Sequence, residues 1–427
     1  MSREINFFGK TRFRNEDKTF GIQPDDRRRH MYVIGKTGMG KTNLIQNMAI
    51  QDIRSGRGVG VIDPHGDLAE ACLKAVPTRR ISDVIYFNPS DREFPVGFNL
   101  LDTRDPSVKD LVASGVVGVF QKIWASSWGV RLENTLRHAV LSLLEYPDAT
   151  LLGVLRVLVD EKYREKVILR VKDPIVRLFW LKQFREYAPR FRVEVVESVQ
   201  NKVSQFLANP LMRNILAQPR SSFDVRQVMD QEKILIVNLA KGKIGDDNSA
   251  LLGAMLVSKM QLAAMARADT PESLRKDFYL YVDEFQNFAT ASFATIMSEA
   301  RKYRLNLILA HQYISQLDEA VQEAVFGNVG TIASFRVGPM DTEVLGKMFA
   351  PAFSDLDLLN LPKYQMYVKL MIDGIACDPF SAVSLEPVGV DGSGKTLEKI
   401  VRISRERYGT SRQAVENRIA RWSGMGK

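Results

Sequence analysis

The sequence predicts an α/β fold in which a parallel-rich central sheet is interrupted by an inserted all-α domain. Short apolar runs bounded by Gly or Pro alternate with helical patterns in the first and last parts of the chain, and such runs are typical of strands buried in parallel sheets. Between about Ser107 and Val228 these strand signals vanish, and apolar residues recur at helical spacing. The length of 427 residues allows about two or three domains.

We therefore expect four segments. Residues 1–106 contain N-terminal strands and the first part of the core, and residues 107–228 form the all-α insertion. Residues 229–388 complete the core, and residues 389–427 form a linker and a basic helical tail. The helices of the insertion are expected at residues 132–146, 151–159, 175–187 and 193–208.

Composition narrows the class of protein. The chain has 59 basic and 50 acidic residues, a net charge of +9, which permits a polyanionic partner without identifying one. Only Cys72 and Cys377 are cysteines, so we expect neither a disulfide framework nor a Cys-rich zinc site, and a reducing cytoplasm fits. The first twenty residues are too charged for a signal peptide. No run reaches the ~18 apolar residues of a membrane span, and Lys259 interrupts the nearest candidate, residues 251–266, so we expect a buried helix there and no transmembrane segment.

The first thirty residues suggest short strands or a hairpin, with a turn at residues 15–17. The basic run Arg27-Arg28-Arg29 lies near the end of this segment, just before the first core strand. It could contact nucleic acid or a neighbouring subunit, but a solvated charge run is favoured.

The first decisive motif matches the phosphate-binding pattern G-x-x-x-x-G-K-[ST] at residues 35–42. A strand is expected before it at residues 31–34 and a helix after it, which is the context that the motif requires. Backbone N–H groups of the glycine-rich loop, with the helix N-terminus, would hold phosphate oxygens. Lys41 would reach the β- and γ-phosphates, and the Thr42 hydroxyl would ligate Mg²⁺. The predicted residues that bind ATP are Gly35, Lys36, Thr37, Gly38, Met39, Gly40, Lys41, Thr42 and Asn43.

A second buried strand is expected at residues 58–63, followed by a polar turn. Ligands of open α/β sheets bind beyond the carboxyl ends of strands, so Asp63, His65 and Asp67 would lie near the nucleotide. His65 could be a ligand, but a turn histidine with local hydrogen bonds is at least as favoured. A further strand is expected at residues 84–87.

The second decisive motif is an apolar strand at residues 278–282 that ends in Asp283-Glu284. This is a Walker B pattern, in which Asp283 holds Mg²⁺ through its water shell and Glu284 polarises the attacking water as general base. It lies 242 residues after Lys41, and the helical insertion accounts for this long separation.

A later strand at residues 305–310 ends in His311-Gln312. Gln312 could sense the γ-phosphate and couple hydrolysis to motion, although a simple strand cap is the alternative. Further strands are expected at residues 331–337, 365–371 and 380–383.

The C-terminal part contains a second match to the phosphate-binding pattern at residues 389–396, which we interpret as a glycine-rich linker because Pro387 interrupts the preceding residues. Residues 395–427 carry nine basic and three acidic residues and predict one or two basic helices. A DNA contact, a tail that docks on a partner and a disordered tail are all open interpretations.

Five stretches carry a resemblance to a known family: GKTGMGKT at 35–42, VIDPHGDL at 61–68, LYVDEFQNF at 280–288, RKYRLNLILAHQ at 301–312 and SFRVGPMDTEVLGKMF at 334–349. Together they resemble the type IV secretion coupling proteins of the TraD/TraG kind, within the FtsK–HerA superfamily of DNA-pumping ATPases. The resemblance covers roughly residues 28–385.

The resemblance implies a RecA-like core, a ring-shaped hexamer and ATP-driven movement of DNA through a central channel. It supports Lys41 and Thr42 at the phosphates and metal, Asp283 and Glu284 as the acids, and Gln312 as the sensor. It also implies an arginine that enters the site of the next subunit. Arg301 is the match for that arginine, with Lys302 and Arg304 close by.

The expected function is therefore a DNA-translocating P-loop ATPase that serves conjugative or type IV secretion-like transfer. Many coupling proteins begin with membrane-spanning helices, and we expect none here, so the protein would be cytoplasmic, or peripheral at the cytoplasmic face of the membrane on a secretion-channel or relaxosome-type partner. The alternatives are a soluble HerA-like translocase in DNA repair or segregation, and a recruiting adaptor that uses ATP mainly for assembly.

Overall fold

The computed structural model describes residues 5–13, 16–103, 105–290, 293–389 and 394–424. The chain divides into two compact units. We call the first the core unit; it comprises Met1–Phe87, Val225–Ala240 and Ala263–Ser404. We call the second the helical unit; it comprises Asn88–Asp224, Lys241–Leu262 and Arg405–Lys427. The four-segment division that was expected from the sequence stays a prediction.

The core unit holds the strands. In chain order those of the described residues are β1 (Asn6–Phe13), β2 (Glu16–Ile22), β3 (Met31–Ile34), β4 (Gly58–Asp63), β5 (Val84–Phe87), β6 (Ile234–Asn238), β7 (Phe278–Val282), β8 (Leu305–His311), β9 (Thr331–Ser334), β10 (Gln365–Lys369), β11 (Met371–Ile372), β12 (Ile375–Ala376) and β13 (Phe380–Ser384). Eleven of them form one sheet in the order β2-β1-β13-β10-β9-β3-β8-β7-β4-β6-β5, while β11 and β12 pair separately.

Seven neighbouring strands of the large sheet, from β5 to β9 in that order, pair in parallel. The four strands on the other side, β10, β13, β1 and β2, pair antiparallel. Every residue of β3, β4, β6, β7, β8 and β9 is buried, as expected of Val-, Ile- and Leu-rich strands covered on both faces. This large, mostly parallel sheet confirms the α/β fold class.

The helices of the described residues, in chain order, are α1 (Pro24–Arg27), α2 (Lys41–Arg54), α3 (Asp67–Lys74), α4 (Lys109–Ile123), α5 (Val130–Leu144), α6 (Leu151–Val159), α7 (Glu161–Ile168), α8 (Pro174–Leu178), α9 (Phe184–Glu186), α10 (Pro189–Leu207), α11 (Pro210–Leu216), α12 (Val225–Asp230), α13 (Lys241–Ile244), α14 (Asp246–Met265), α15 (Phe293–Glu299), α16 (Glu319–Asn328), α17 (Pro339–Phe349), α18 (Asp355–Asn360), α19 (Gly394–Tyr408) and α20 (Arg412–Trp422). Helices α5, α6 and α10 lie where apolar spacing predicted them, and α8 and α9 share the predicted segment at 175–187 with a π-helical turn.

Helix α20 packs into the helical unit. Val415 of α20 is buried, the guanidinium of Arg156 donates a 2.8 Å hydrogen bond to the carbonyl of Trp422, and the Trp422 ring packs edge-on against Tyr163. The interpretation as a disordered tail is therefore wrong for α20. Residues 390–393 of the second glycine-rich motif lie outside the described residues.

One helical stretch of the described chain, Asp246–Asp269, is long and apolar enough to cross a membrane by length and composition alone. However, 61% of its most apolar window is buried inside the protein, and the buried core helix of a globular protein meets the same criteria. The stretch includes the helix that was predicted at residues 251–266.

A buried ion pair joins the start of the chain to the centre of the core unit. Arg27 donates two hydrogen bonds of 2.8 and 2.7 Å to the carboxylate of Asp52 in α2. Tyr281 of β7 and Asn6 of β1 donate to the same carboxylate at 2.6 and 2.9 Å. Burial by itself raises the pKa of Asp52, but the charge and hydrogen bonds of Arg27 hold this pKa below its ordinary value. The expectation of a solvated charge run is therefore wrong for Arg27, because its partner lies far along the chain.

We expect Asp52→Asn to lower the free energy of unfolding by about 3–5 kcal/mol, because the variant leaves a buried guanidinium without its counter-charge. The matched control is Asp25→Asn, which breaks an ion pair with Arg28 whose acid is 63% exposed, and we expect it to change stability by less than about 1 kcal/mol. Equal effects of the two substitutions in denaturant unfolding would contradict a dominant role for the buried pair.

Candidate active site

The loop between β3 and α2 is shaped by glycines. Gly40 has a φ of 120°, and an added Cβ would lie 3.0 Å from the ring of Tyr364 and 3.2 Å from that of Phe335. A Cβ at Gly35 would lie 2.6 Å from the Phe335 side chain. Any larger residue at these two positions would be strained or would clash, so the loop conformation requires glycine there.

Lys41, the first residue of α2, is buried and folds back onto its own loop. Its Nζ donates hydrogen bonds of 2.6 Å to the carbonyl of Gly35 and 3.2 Å to that of Lys36. Burial lowers the pKa of Lys41, while the negative charges of Glu284 and Asp283 act in the opposite direction. The ammonium therefore lies within the loop, facing two acids, where it can meet phosphate oxygens.

The two acids that follow β7 meet the start of α2. The Thr42 hydroxyl donates a 3.0 Å hydrogen bond to Oδ2 of Asp283, and Asp283 accepts another from the backbone N–H of Glu284. Burial raises the pKa of Asp283 to about 6, with the charges of Glu284 and Asp63 adding to the rise. A cation beside this carboxylate would favour its ionised form.

A hydroxyl and a carboxylate in contact are a donor set that fits Mg²⁺. Among the residues that the structure describes, no group of three or more His, Cys, Asp or Glu could hold a metal ion. Mg²⁺ usually keeps several waters and takes phosphate oxygens when only one or two protein ligands are present. Thr42 and Asp283 therefore fit a magnesium ion that arrives with a nucleotide.

Both carboxylate oxygens of Glu284 are held by amides. Gln312, which follows β8, donates to Oε1, and Gln286 donates to Oε2 at 2.6 Å. Glu284 itself has a positive φ of 47°, and its carbonyl accepts a hydrogen bond from the side chain of Asn287. The strained turn and the two amides fix the direction in which the carboxylate points.

Gln312 also joins this acid to the phosphate loop. Its Oε1 accepts a 3.0 Å hydrogen bond from the Thr37 hydroxyl, so the side chains of Thr37, Gln312, Glu284 and Gln286 form one connected series. A phosphate that enters the loop would compete for these contacts. Gln312 is therefore placed to respond to an occupied loop, and its sensor role stays a prediction.

The neighbouring His311 is buried and makes a hydrogen bond with Tyr32. Nδ1 of its ring lies 2.7 Å from the hydroxyl of Tyr32 in β3. Burial lowers the pKa of His311 to about 3, so the ring stays neutral. The residue supports the strand end that carries Gln312.

Some side chains of predicted residues point away from the loop, or make contacts of their own, and their predicted roles stay untested. The side chain of Asn43 donates to the carbonyl of Leu385 at 2.8 Å rather than pointing into the loop, and Met39 packs against the core. Asp63 accepts hydrogen bonds from the backbone N–H groups of His65 and of Ala69 in α3, and its charge acts on Asp283, while His65 is exposed. The turn interpretation of His65 is the one that this exposure favours.

Arg301 lies far from the loop of its own chain. It is exposed and sits in the helical turn before β8, whereas Gln312 directly follows that seven-residue strand. Arg301 and Gln312 are therefore at opposite edges of the sheet. Arg304 contacts Glu272 at 3.5 Å, which leaves Arg301 and Lys302 as the exposed cations of this turn.

A role for Gln286 was not predicted from the sequence. It comes two residues after Glu284, and its only signal is an amide close behind a catalytic-type acid, which no periodicity or spacing rule singles out. Its contact with Oε2 depends on the tight turn at Glu284, so the tertiary structure is needed to assign it. Taken together, the loop, two acids and Gln312 form a site that can bind a nucleoside triphosphate with Mg²⁺ and activate a water.

Comparisons with known proteins agree with this geometry. A family model described as "Type IV secretion-system coupling protein DNA-binding domain" matches residues 18–343. The chain is 23% identical to the type 4 coupling protein DotL of Legionella pneumophila subsp. pneumophila, with 76% of this chain and 48% of DotL covered, so it spans about half the length of this curated relative.

Two solved structures share the fold. The plasmid coupling protein TrwB in complex with the non-hydrolysable ATP analogue ADPNP has a TM-score of 0.64 at 16% identity, covering 91% of this chain and 96% of that one. VirB4 of Thermoanaerobacter pseudethanolicus has a TM-score of 0.59 at 15% identity, covering 90% and 97%. Likeness at this level of identity shows a common fold.

The buried acid pair leads to a prediction on stability. Because the pKa of Asp283 rises from 3.8 to about 6 on folding, the ionised carboxylate opposes folding at neutral pH. This destabilisation is absent below about pH 4, where Asp283 is protonated in both the folded and the unfolded protein. It reaches at most about 3 kcal/mol above about pH 6. We therefore expect Asp283→Asn to raise the free energy of unfolding of the metal-free protein at about pH 8 and to have little effect at about pH 4. A less stable variant at the higher pH, in urea unfolding with a chelator present, would contradict this.

Proposed function

Because the chain belongs to the type IV secretion-system coupling protein family, we propose that it is a coupling ATPase that hydrolyses ATP to move DNA in a secretion-type transfer system. The observation that carries the proposal is the continuous contact from Thr42 through Asp283 and Glu284 to Gln312. These groups come from the start of α2 and from two strand ends, and together with the phosphate loop they supply a phosphate cradle, a metal position and a general base.

Each group of the site has a separate role in the proposed reaction. The loop N–H groups and Lys41 would hold the β- and γ-phosphates, and Thr42 and Asp283 would hold Mg²⁺, which when bound would neutralise charge on the phosphate oxygens. Glu284 takes a proton from the attacking water. Gln312 exchanges its contact with Glu284 for one with the γ-phosphate, which frees a carboxylate oxygen for that water.

A ring of subunits, a hexamer by analogy with the resembling ATPases, would complete the site with an arginine from the neighbour. Arg301 suits this role because it is exposed at the sheet edge opposite its own phosphate loop. The arginine would stabilise charge on the transferring phosphoryl group.

DNA is the proposed track. The matched family model describes a DNA-binding domain, DotL and TrwB are named as coupling proteins, and a net charge of +9 suits phosphate contacts. We place the protein in the cytoplasm or at the cytoplasmic face of the membrane, where a secretion-channel or relaxosome-type protein would recruit it.

The test is steady-state ATP hydrolysis by the purified chain without DNA, with single-stranded DNA and with duplex DNA. We expect one form of DNA to stimulate hydrolysis severalfold and Lys41→Ala to abolish the rate with every form, because that substitution removes the phosphate-binding ammonium. The form that stimulates identifies the track.

An adaptor that uses ATP only for assembly makes a different prediction. Glu284→Gln keeps the shape of the side chain but removes the general base. Transport in a DNA-transfer assay that is unchanged by this variant would overturn the motor and favour the adaptor. A hydrolysis rate that no DNA alters would also count against DNA translocation.

The proposed role of Arg301 makes its own prediction. We expect Arg301→Ala to lower hydrolysis by about 10³-fold, while Lys302→Ala, its exposed neighbour, changes the rate only slightly. Mixing Arg301→Ala with Lys41→Ala should restore part of the activity, because an intact loop then faces an intact arginine across a subunit boundary. Mixed oligomers without any recovery would contradict a role in trans.

A further inference from the structure

We propose that Tyr364 is a stacking platform for the base of the bound nucleotide. This proposal rests on the proposed function, since it requires a nucleoside triphosphate in the phosphate loop. It adds a recognition element for the purine end of the ligand, whereas the residues described above act only on its phosphates and metal.

Tyr364 lies directly against the phosphate loop. An added Cβ at Gly40 would be 3.0 Å from the Tyr364 ring, and the backbone N–H of Tyr364 donates a 2.9 Å hydrogen bond to the carbonyl of Met39. Its own carbonyl accepts a 2.9 Å bond from Ser384 at the end of β13. The backbone of Tyr364 is therefore held beside the loop, and its ring lies against Gly40.

The strand order decides which end of the nucleotide meets this ring. Glu284 and Gln312 follow β7 and β8, on one side of the loop strand β3, while Tyr364 precedes β10, on the other side beyond β9. The γ-phosphate must lie next to Glu284 to be attacked by its water. A phosphate chain that passes through the loop then leaves its ribose and base on the side of Tyr364.

Packing against the core does not by itself explain the aromatic ring at Tyr364. The fully buried Phe335 already contacts Gly35 and Gly40 from within the core, whereas 42% of Tyr364 remains exposed. Tyr364 also has a φ of 68°, which is unfavourable for an aromatic residue and is kept where surrounding structure imposes it, often at ligand sites.

Charge around the ring suits a nucleotide. The ammonium of Lys363 lies 4.8 Å from the centre of the Tyr364 ring, within the range of a cation–π contact. Because Lys363 lies over one face of the ring, a base would stack on the opposite face, and the cation would attract the phosphates attached to that base. Stacking of this kind tolerates any base, because every base has a π-face.

The experiment measures binding of two ligands by calorimetry in the presence of Mg²⁺: a non-hydrolysable ATP analogue and inorganic tripolyphosphate, which lacks a base. We expect Tyr364→Ala to raise the Kd of the analogue about tenfold and to leave the Kd of tripolyphosphate unchanged. Tyr364→Phe keeps the ring and should bind the analogue like the unmodified protein.

Tyr364→Leu is the control for misfolding, because it fills the space against Gly40 but has no π-face. We expect it to weaken binding of the analogue as Tyr364→Ala does. Equal loss of both ligands, no loss of either, or a Tyr364→Phe as weak as Tyr364→Ala would overturn the platform. If the unmodified protein binds neither ligand, the proposed function falls together with this inference. If it binds both and the variants do not discriminate between them, only the inference falls.

Discussion

The parallel register of β3, β8 and β7 brings three segments that are distant in sequence to one edge of the sheet. Because carboxyl ends of parallel strands meet at the same edge, the phosphate loop, Gln312 and the pair Asp283-Glu284 come within hydrogen-bonding distance of one another. Complete burial of these strands makes a register shift unfavourable. The chemistry of the site is thus a consequence of how the core is packed.

The core unit combines two kinds of buried charge with opposite effects. Asp52 is surrounded by donors and its pKa falls below the ordinary value, so its ionised form supports the fold. Asp283 is buried with another acid nearby and its pKa rises, so its ionised form opposes the fold until a cation arrives. The two carboxylates lie at opposite ends of α2. Asp52 is in its last turn, and Asp283 contacts Thr42 at its start.

Ligand binding and subunit contact are assigned to opposite edges of the core sheet. The edge with the phosphate loop carries Lys41, Gln312 and Tyr364, while the edge before β8 exposes Arg301. Arg301 therefore does not face the phosphate loop of its own chain. If Arg301 takes part in the proposed reaction, a neighbouring subunit must supply it.

The sequence by itself determined the local units: the strand, loop and helix around Lys41, the acidic strand end at Asp283, the polar strand end at Gln312, and the helices of the insertion. These follow from periodicity and from glycine spacing, which act over a few residues. Only the tertiary structure decided that Gln286 holds Glu284, that Arg27 is buried against Asp52, that Asn43 points away from the loop and that Tyr364 lies against Gly40. Each of these contacts depends on a strained turn or on a partner distant in sequence, and neither of these produces a periodic pattern of residues.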